Sequence, residues 1–125
     1  MILINIFLPP PTVNDRLLLR FYRTMLQEED LIIPPIVVTE FLKIAGKGAS
    51  ITTIETWVRS FVESRVRVES LSIRDCLEAR RILCRYNDTP VVDALAATTA
   101  KRFRARILSD DPHFREIGLR TLWYE

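Results

Sequence analysis

Hydrophobic positions along this chain follow two rhythms. Short solid runs occupy Ile2–Leu8, Leu31–Ile33, Val66–Val68, Arg106–Leu108 and Thr121–Trp123. Compact β-rich runs of this kind predict strands buried in a parallel sheet. Between them, apolar residues recur every three or four positions, which predicts helices. The first such stretch holds Leu18, Phe21, Tyr22, Met25 and Leu26, the second Val37, Val38, Phe41 and Ala45, and the third Trp57, Val58, Phe61 and Val62. A fourth helix is expected to turn Ile73, Cys76, Leu77, Leu83 and Cys84 inward. A fifth should bury Val92, Leu95, Ala96, Thr99, Ala100 and Phe103.

The punctuation agrees with this pattern. Pro9-Pro10-Pro11 ends the first strand, and Pro34-Pro35 ends the second while opening a helix, whose first turn tolerates proline. Gly46 and Gly48 stop that helix. Thr52 with Glu55 has capping-box spacing, Ser72 is an N-cap, and Asn87-Asp88-Thr89-Pro90 breaks one helix and opens the next. Pro112 to Ile117 reads as a short helix. Strands alternating with helices predict an α/β fold: one domain over residues 1–125, three-layer α/β/α, with a parallel sheet of four or five strands.

Composition narrows the chemistry. Hydrophobic residues make up 48% and charged residues 27%, as in ordinary globular domains. No apolar run reaches the ~18 residues of a membrane span. MILINIFLPP lacks the basic start and small-residue cleavage site of a signal peptide, so it reads as a strand. Cys76 and Cys84 form no CxxC pair and read as small buried residues in a reducing, cytoplasmic setting. With His113 the single histidine, a His/Cys zinc site is not supported, and any metal would be a hard cation on carboxylates. Net charge is only +2, but of eighteen basic residues three are lysine, leaving fifteen arginines. The planar fork of arginine suits phosphate, although base composition or a hot habitat would also raise arginine.

Four acids are placed where they could act. Asp93 lies at the border of the small-residue face of the fifth helix, where charge is costly unless bound or paired. An acid in a first turn also suits the helix dipole. Asp110 and Asp111 follow a buried strand directly. Asp111 before Pro112 has the form of an N-cap, but a cap needs one aspartate and not two. Ser109 could add an oxygen or a hydrogen bond. Glu40 borders the core face of its helix and could equally pair with Lys43 in solvent. Acids placed after the strands of a parallel sheet are how such folds build metal sites. The sequence offers no GxGxxG, no GxSxG and no second histidine for a relay. AGKGAS at 45–50 lacks phosphate-loop spacing, and the basic run 101–106 has the form of a charged helix end.

Four segments, IPPIVVTEFLKIA at 33–45, LEARRIL at 77–83, PVVDALAATTA at 90–100 and ILSDDPHFREIGL at 107–119, resemble the PIN-domain family, especially the VapC-type toxin ribonucleases. The resemblance covers nearly the whole chain. It implies a Mg2+- or Mn2+-dependent endoribonuclease acting on RNA, the toxin of a toxin–antitoxin pair, dimeric, with a small antitoxin protein as partner. On the family pattern Glu40 matches the second acid, Asp93 the third and Asp111 the fourth, with Asp110 additional. The family opens with a strand ending in Asp-Thr-Asn. Here Leu3 takes the acid's place and Asn5 that of the asparagine, or, with a two-residue deletion, Asn5 stands for the acid. The first carboxylate is absent either way, and Asn5 offers a carbonyl oxygen without charge. The alternative is therefore a catalytically inactive PIN-like module that binds RNA or protein. A receiver-type signalling domain would need acids after the first and middle strands that Asn5 and Val68-Glu69 do not supply.

Overall fold

A computed structural model describes residues 2–4, 20, 24, 27, 30–45, 47–63, 66–109 and 111–122. Five strands form one sheet: β1 (Ile2–Ile4), β2 (Leu31–Ile33), β3 (Arg67–Val68), β4 (Arg106–Leu108) and β5 (Thr121–Leu122). The helices are α1 (Pro35–Ala45), α2 (Ile51–Val62), α3 (Ile73–Arg85), α4 (Val91–Phe103) and the short α5 (His113–Glu116). The helix expected around Leu18–Leu26 lies outside the described residues except at Arg20 and Thr24, which are helical, as is Gln27 beyond it. Residues 5–8 and 123 of the expected strands also lie outside them.

Every strand pair is parallel, in the order β3-β2-β1-β4-β5. Leu3 stands opposite Ile32 on one side and Ile107 on the other, and all three are fully buried. From β1 the chain moves outward to β2 and β3, then returns past β1 to β4 and β5. Crossovers between parallel strands are right-handed as a rule, so a chain that moves outward on one arm and back along the other is expected to cover both faces of the sheet. The direction reverses between β1 and β4, and that switch point is where open α/β sheets form a crevice.

α4 is central to the packing. It touches α1, α3, β1 and β4. Its residues from Ala94 to Ala100 are buried all round, not along a stripe alone. Four alanines in that run let several elements approach closely. The buried hydroxyls of Thr98 and Thr99 donate to the carbonyls of Ala94 and Leu95, so neither is left unsatisfied.

α3 corrects the expected orientation. Its buried residues are Asp75, Ala79 and Ile82, while Ile73 and Leu77 are exposed. Cys76 and Cys84 are exposed as well, not core residues. The inward phase is set by Asp75. Its carboxylate accepts from the Ser72 backbone N–H at 2.8 Å and from Arg102 Nη1 at 3.0 Å, while the Ser72 hydroxyl caps the helix in return. Ser72 thus caps as expected. At α2 the cap is different: the Thr53 N–H donates to Ser50 Oγ at 3.2 Å, so Ser50 fills the role expected of Thr52. Among the described residues no helix is long and apolar enough to cross a membrane.

Candidate functional site

β4 delivers the chain to the carboxyl edge of the sheet and stops at a local turn. The buried Ser109 accepts from the Asp111 backbone N–H through Oγ at 3.1 Å. Asp111 Oδ1 in turn accepts from the His113 backbone N–H at 3.0 Å. This is the capping role open to Asp111 from its sequence context. The same oxygen lies 2.6 Å from His113 Nδ1. The His113 backbone N–H, then its ring, hold the Asp111 carboxyl below the usual carboxylate range, against a smaller opposing effect of burial.

α4 leads back to the start of β4, so its N-terminus also lies at the carboxyl edge. Asp93 sits in its first turn. His113 joins the two acids: its Nε2 is buried without a hydrogen-bond partner, 3.5 Å from Asp93 Oδ2. That distance is within ion-pair reach and long for a hydrogen bond. The imidazole stacks on the buried Phe114 ring, with centroids 4.4 Å apart. Asp93, Asp111 and His113 line one cavity of about 590 Å³, together with Asp88, Glu116 and Tyr86.

The other sequence candidates are placed differently. Glu40 is exposed on α1 and is not part of the cavity lining, although α1 touches α4. Asn5 and Asp110 lie outside the described residues. Leu3 is fully buried between neighbouring strands and faces the core. Among the described residues no group of three His, Cys, Asp or Glu side chains is arranged to hold a metal. Asp93 and Asp111 nevertheless fit a hard divalent cation in kind, since they bring carboxylate oxygens to one cavity.

A PIN domain profile matches residues 2–119. The chain belongs to the PIN domain family. No curated protein matches this PIN domain. Its fold is similar to that of three solved structures. A chain of VapBC2 from Rickettsia felis, bound to a DNA fragment from their promoter, aligns with TM-score 0.77 and 16% identity over 100% of both chains. A chain of FitAcB from Neisseria gonorrhoeae gives 0.71 and 15% over 98% of this chain and 96% of that one. FitAB bound to an IR36 DNA fragment gives 0.73 and 14% over 99% and 95%.

Sequence reasoning missed His113, Asp88 and Glu116 in this PIN domain. From the sequence His113 reads only as a lone candidate for a zinc site or a relay, neither of which it can complete alone. The available signal was its place two residues after Asp111, which lets backbone and ring address one carboxylate. Asp88 reads in the sequence only as part of a helix break.

Proposed function

We propose that this PIN domain is a metal-dependent endoribonuclease, the toxin component of a toxin–antitoxin pair. Asp93 and Asp111 would be the core of its site. The observation that carries the reading is that these two acids, 18 residues apart in sequence, line one cavity at the carboxyl edge of the sheet. PIN domains are typically nucleases and generally metal-dependent. Asp110 and Asn5, which follow β4 and β1 in sequence, would complete the ligand set, and Glu40, outside the cavity lining, would join it on the family pattern alone. Mg2+ or Mn2+ would lower the pKa of a bound water and neutralise charge on the scissile phosphate. The protein's own part is positional: His113 fixes Asp111, and the first turn of α4 presents Asp93. An antitoxin protein and a second copy of the chain are the partners the reading implies.

The buried position of Leu3 bears on the absent first acid. A carboxylate at Leu3 would be buried in the centre of the sheet at high cost, so Asn5 is the position at which charge can be restored. The decisive assay is cleavage of single-stranded RNA with Mn2+, with a chelator control. The parent should cleave weakly, Asn5→Asp should cleave faster, and Asp93→Asn or Asp111→Asn should abolish cleavage. Strong parent cleavage untouched by Asp111→Asn would rule the metal mechanism out. If neither the parent nor Asn5→Asp cleaves while both bind RNA or a partner protein, the chain is the inactive binding module.

A further inference from the structure

A second cavity, of about 480 Å³, shares Arg85, Tyr86 and Ile117 with the acidic one, so the two adjoin along α3 and α4 and make a basic groove beside an acidic one. Its charge is reversed. Asp75 and Glu78 are its only acids among the described lining residues, and both are committed: Asp75 to Arg102 at 3.0 Å and Glu78 to Arg81 at 3.0 Å. That leaves Arg74, Arg85 and Lys101, all exposed, with no carboxylate partner among the described residues. Tyr86 stands at the junction of the two cavities. Its hydroxyl donates to the Glu116 carbonyl at 3.0 Å, which fixes the ring, and the Arg85 guanidinium lies 5.7 Å from the ring centroid.

We infer that this groove is a track for the backbone of a single-stranded nucleic acid, with Arg74, Arg85 and Lys101 on phosphates and the Tyr86 ring under a base. The inference rests on the nuclease reading for the direction of the track, which runs from the basic groove to the Asp93–Asp111 cavity. Unpaired cations beside a rigid aromatic ring are the general means of holding single strands without reading sequence. An acidic peptide would use the cations but would leave the ring without a role. Arginine's fork suits phosphate oxygens in particular. The four acids of the neighbouring cavity, Asp88, Asp93, Asp111 and Glu116, repel phosphate. Without a cation there, the strand is held by the basic groove alone, and binding can be measured apart from cleavage.

The test is fluorescence anisotropy in chelator across a range of KCl concentrations. The probes are an unstructured labelled RNA of about twelve nucleotides, the same sequence as DNA, and a polyglutamate peptide. The parent should bind RNA, with or without equal binding of DNA. The triple variant Arg74→Gln/Arg85→Gln/Lys101→Gln should bind at least ~10-fold more weakly. The slope of log K against log salt should shrink by about 2, since each neutralised phosphate contributes ~0.7 on a single strand. Tyr86→Leu should weaken binding ~5-fold and leave the slope unchanged. Arg59→Gln, exposed on α2 and outside both cavities, should match the parent. Circular-dichroism melts check that each variant folds, and Lys101→Gln alone, with a slope change of ~0.7, serves if the triple variant does not. No binding of either strand by the parent would overturn the track. So would an unchanged slope in the variants, or tighter binding of polyglutamate than of RNA. If the parent binds through these residues but neither it nor Asn5→Asp cleaves with Mn2+, the track stands and the nuclease reading falls. A parent that cleaves while the triple variant binds unchanged does the reverse.

Discussion

The side chain of His113 touches both aspartates of the cavity, and its two contacts are unequal. It is 2.6 Å from Asp111 through Nδ1 and 3.5 Å from Asp93 through Nε2. The close contact has a consequence for acid stability. The carboxyl of Asp111 is held below its ordinary value in the folded protein, chiefly by the His113 backbone N–H and ring. Its contribution is therefore fully present above the unfolded value, ~3.9, and is lost as pH falls through the lower folded value. Asp111→Asn should remove that dependence. Urea midpoints of parent and variant should differ most near neutral pH and converge below about pH 4. Because the Asp111 side chain is 48% exposed, solvent screens the effect and it should be small. A gap that stays constant down to the acid transition would show that His113 does not act on this carboxyl. The aspartates were legible because strand ends and helix starts are local features. The role of His113 was not, since it depends on how closely α4 approaches the turn after β4.

At the scale of elements, α3 and α4 are joined by a buried charge that apolar periodicity does not predict. Asp75 is 3% exposed and serves both the N-terminus of α3 and Arg102 of α4. Asp75→Ala should cost about 2–4 kcal/mol, through the lost capping contact and the unpaired guanidinium. Asp75→Asn keeps an acceptor for the Ser72 N–H and should cost about half as much. Urea denaturation measures both, and a loss below ~0.5 kcal/mol for the alanine variant would mean that the pair contributes little. The same residue explains where periodicity misled. α3 carries apolar residues on two sides, and Ile73, Leu77 and both cysteines made the more regular stripe. The true inner side is Asp75, Ala79 and Ile82, chosen by a partner 27 positions away. The strands were easier, because solid runs such as Leu31–Ile33 have only one way to be buried. Ser50 displaced the expected Thr52 cap because a shift of two residues preserves an equally good oxygen for the first turn.

At the scale of the molecule, the order β3-β2-β1-β4-β5 sets where chemistry can occur. Reversal between β1 and β4 opens the carboxyl edge at that point, and the turn after β4 and the start of α4 meet there. Fold class and the parallel sheet were legible from the alternation of strands and helices. The strand order was not, since it rests on contacts between distant segments. Asp93 and Asp111 are proposed to bind one divalent cation together. Isothermal titration of Mn2+ into the chelator-treated protein tests it most directly. One Mn2+ should bind per chain, and Asp93→Asn and Asp111→Asn should each weaken binding at least ~10-fold, since each removes a charged oxygen ligand. No Mn2+ binding by the parent, or equal binding by both variants, would contradict it.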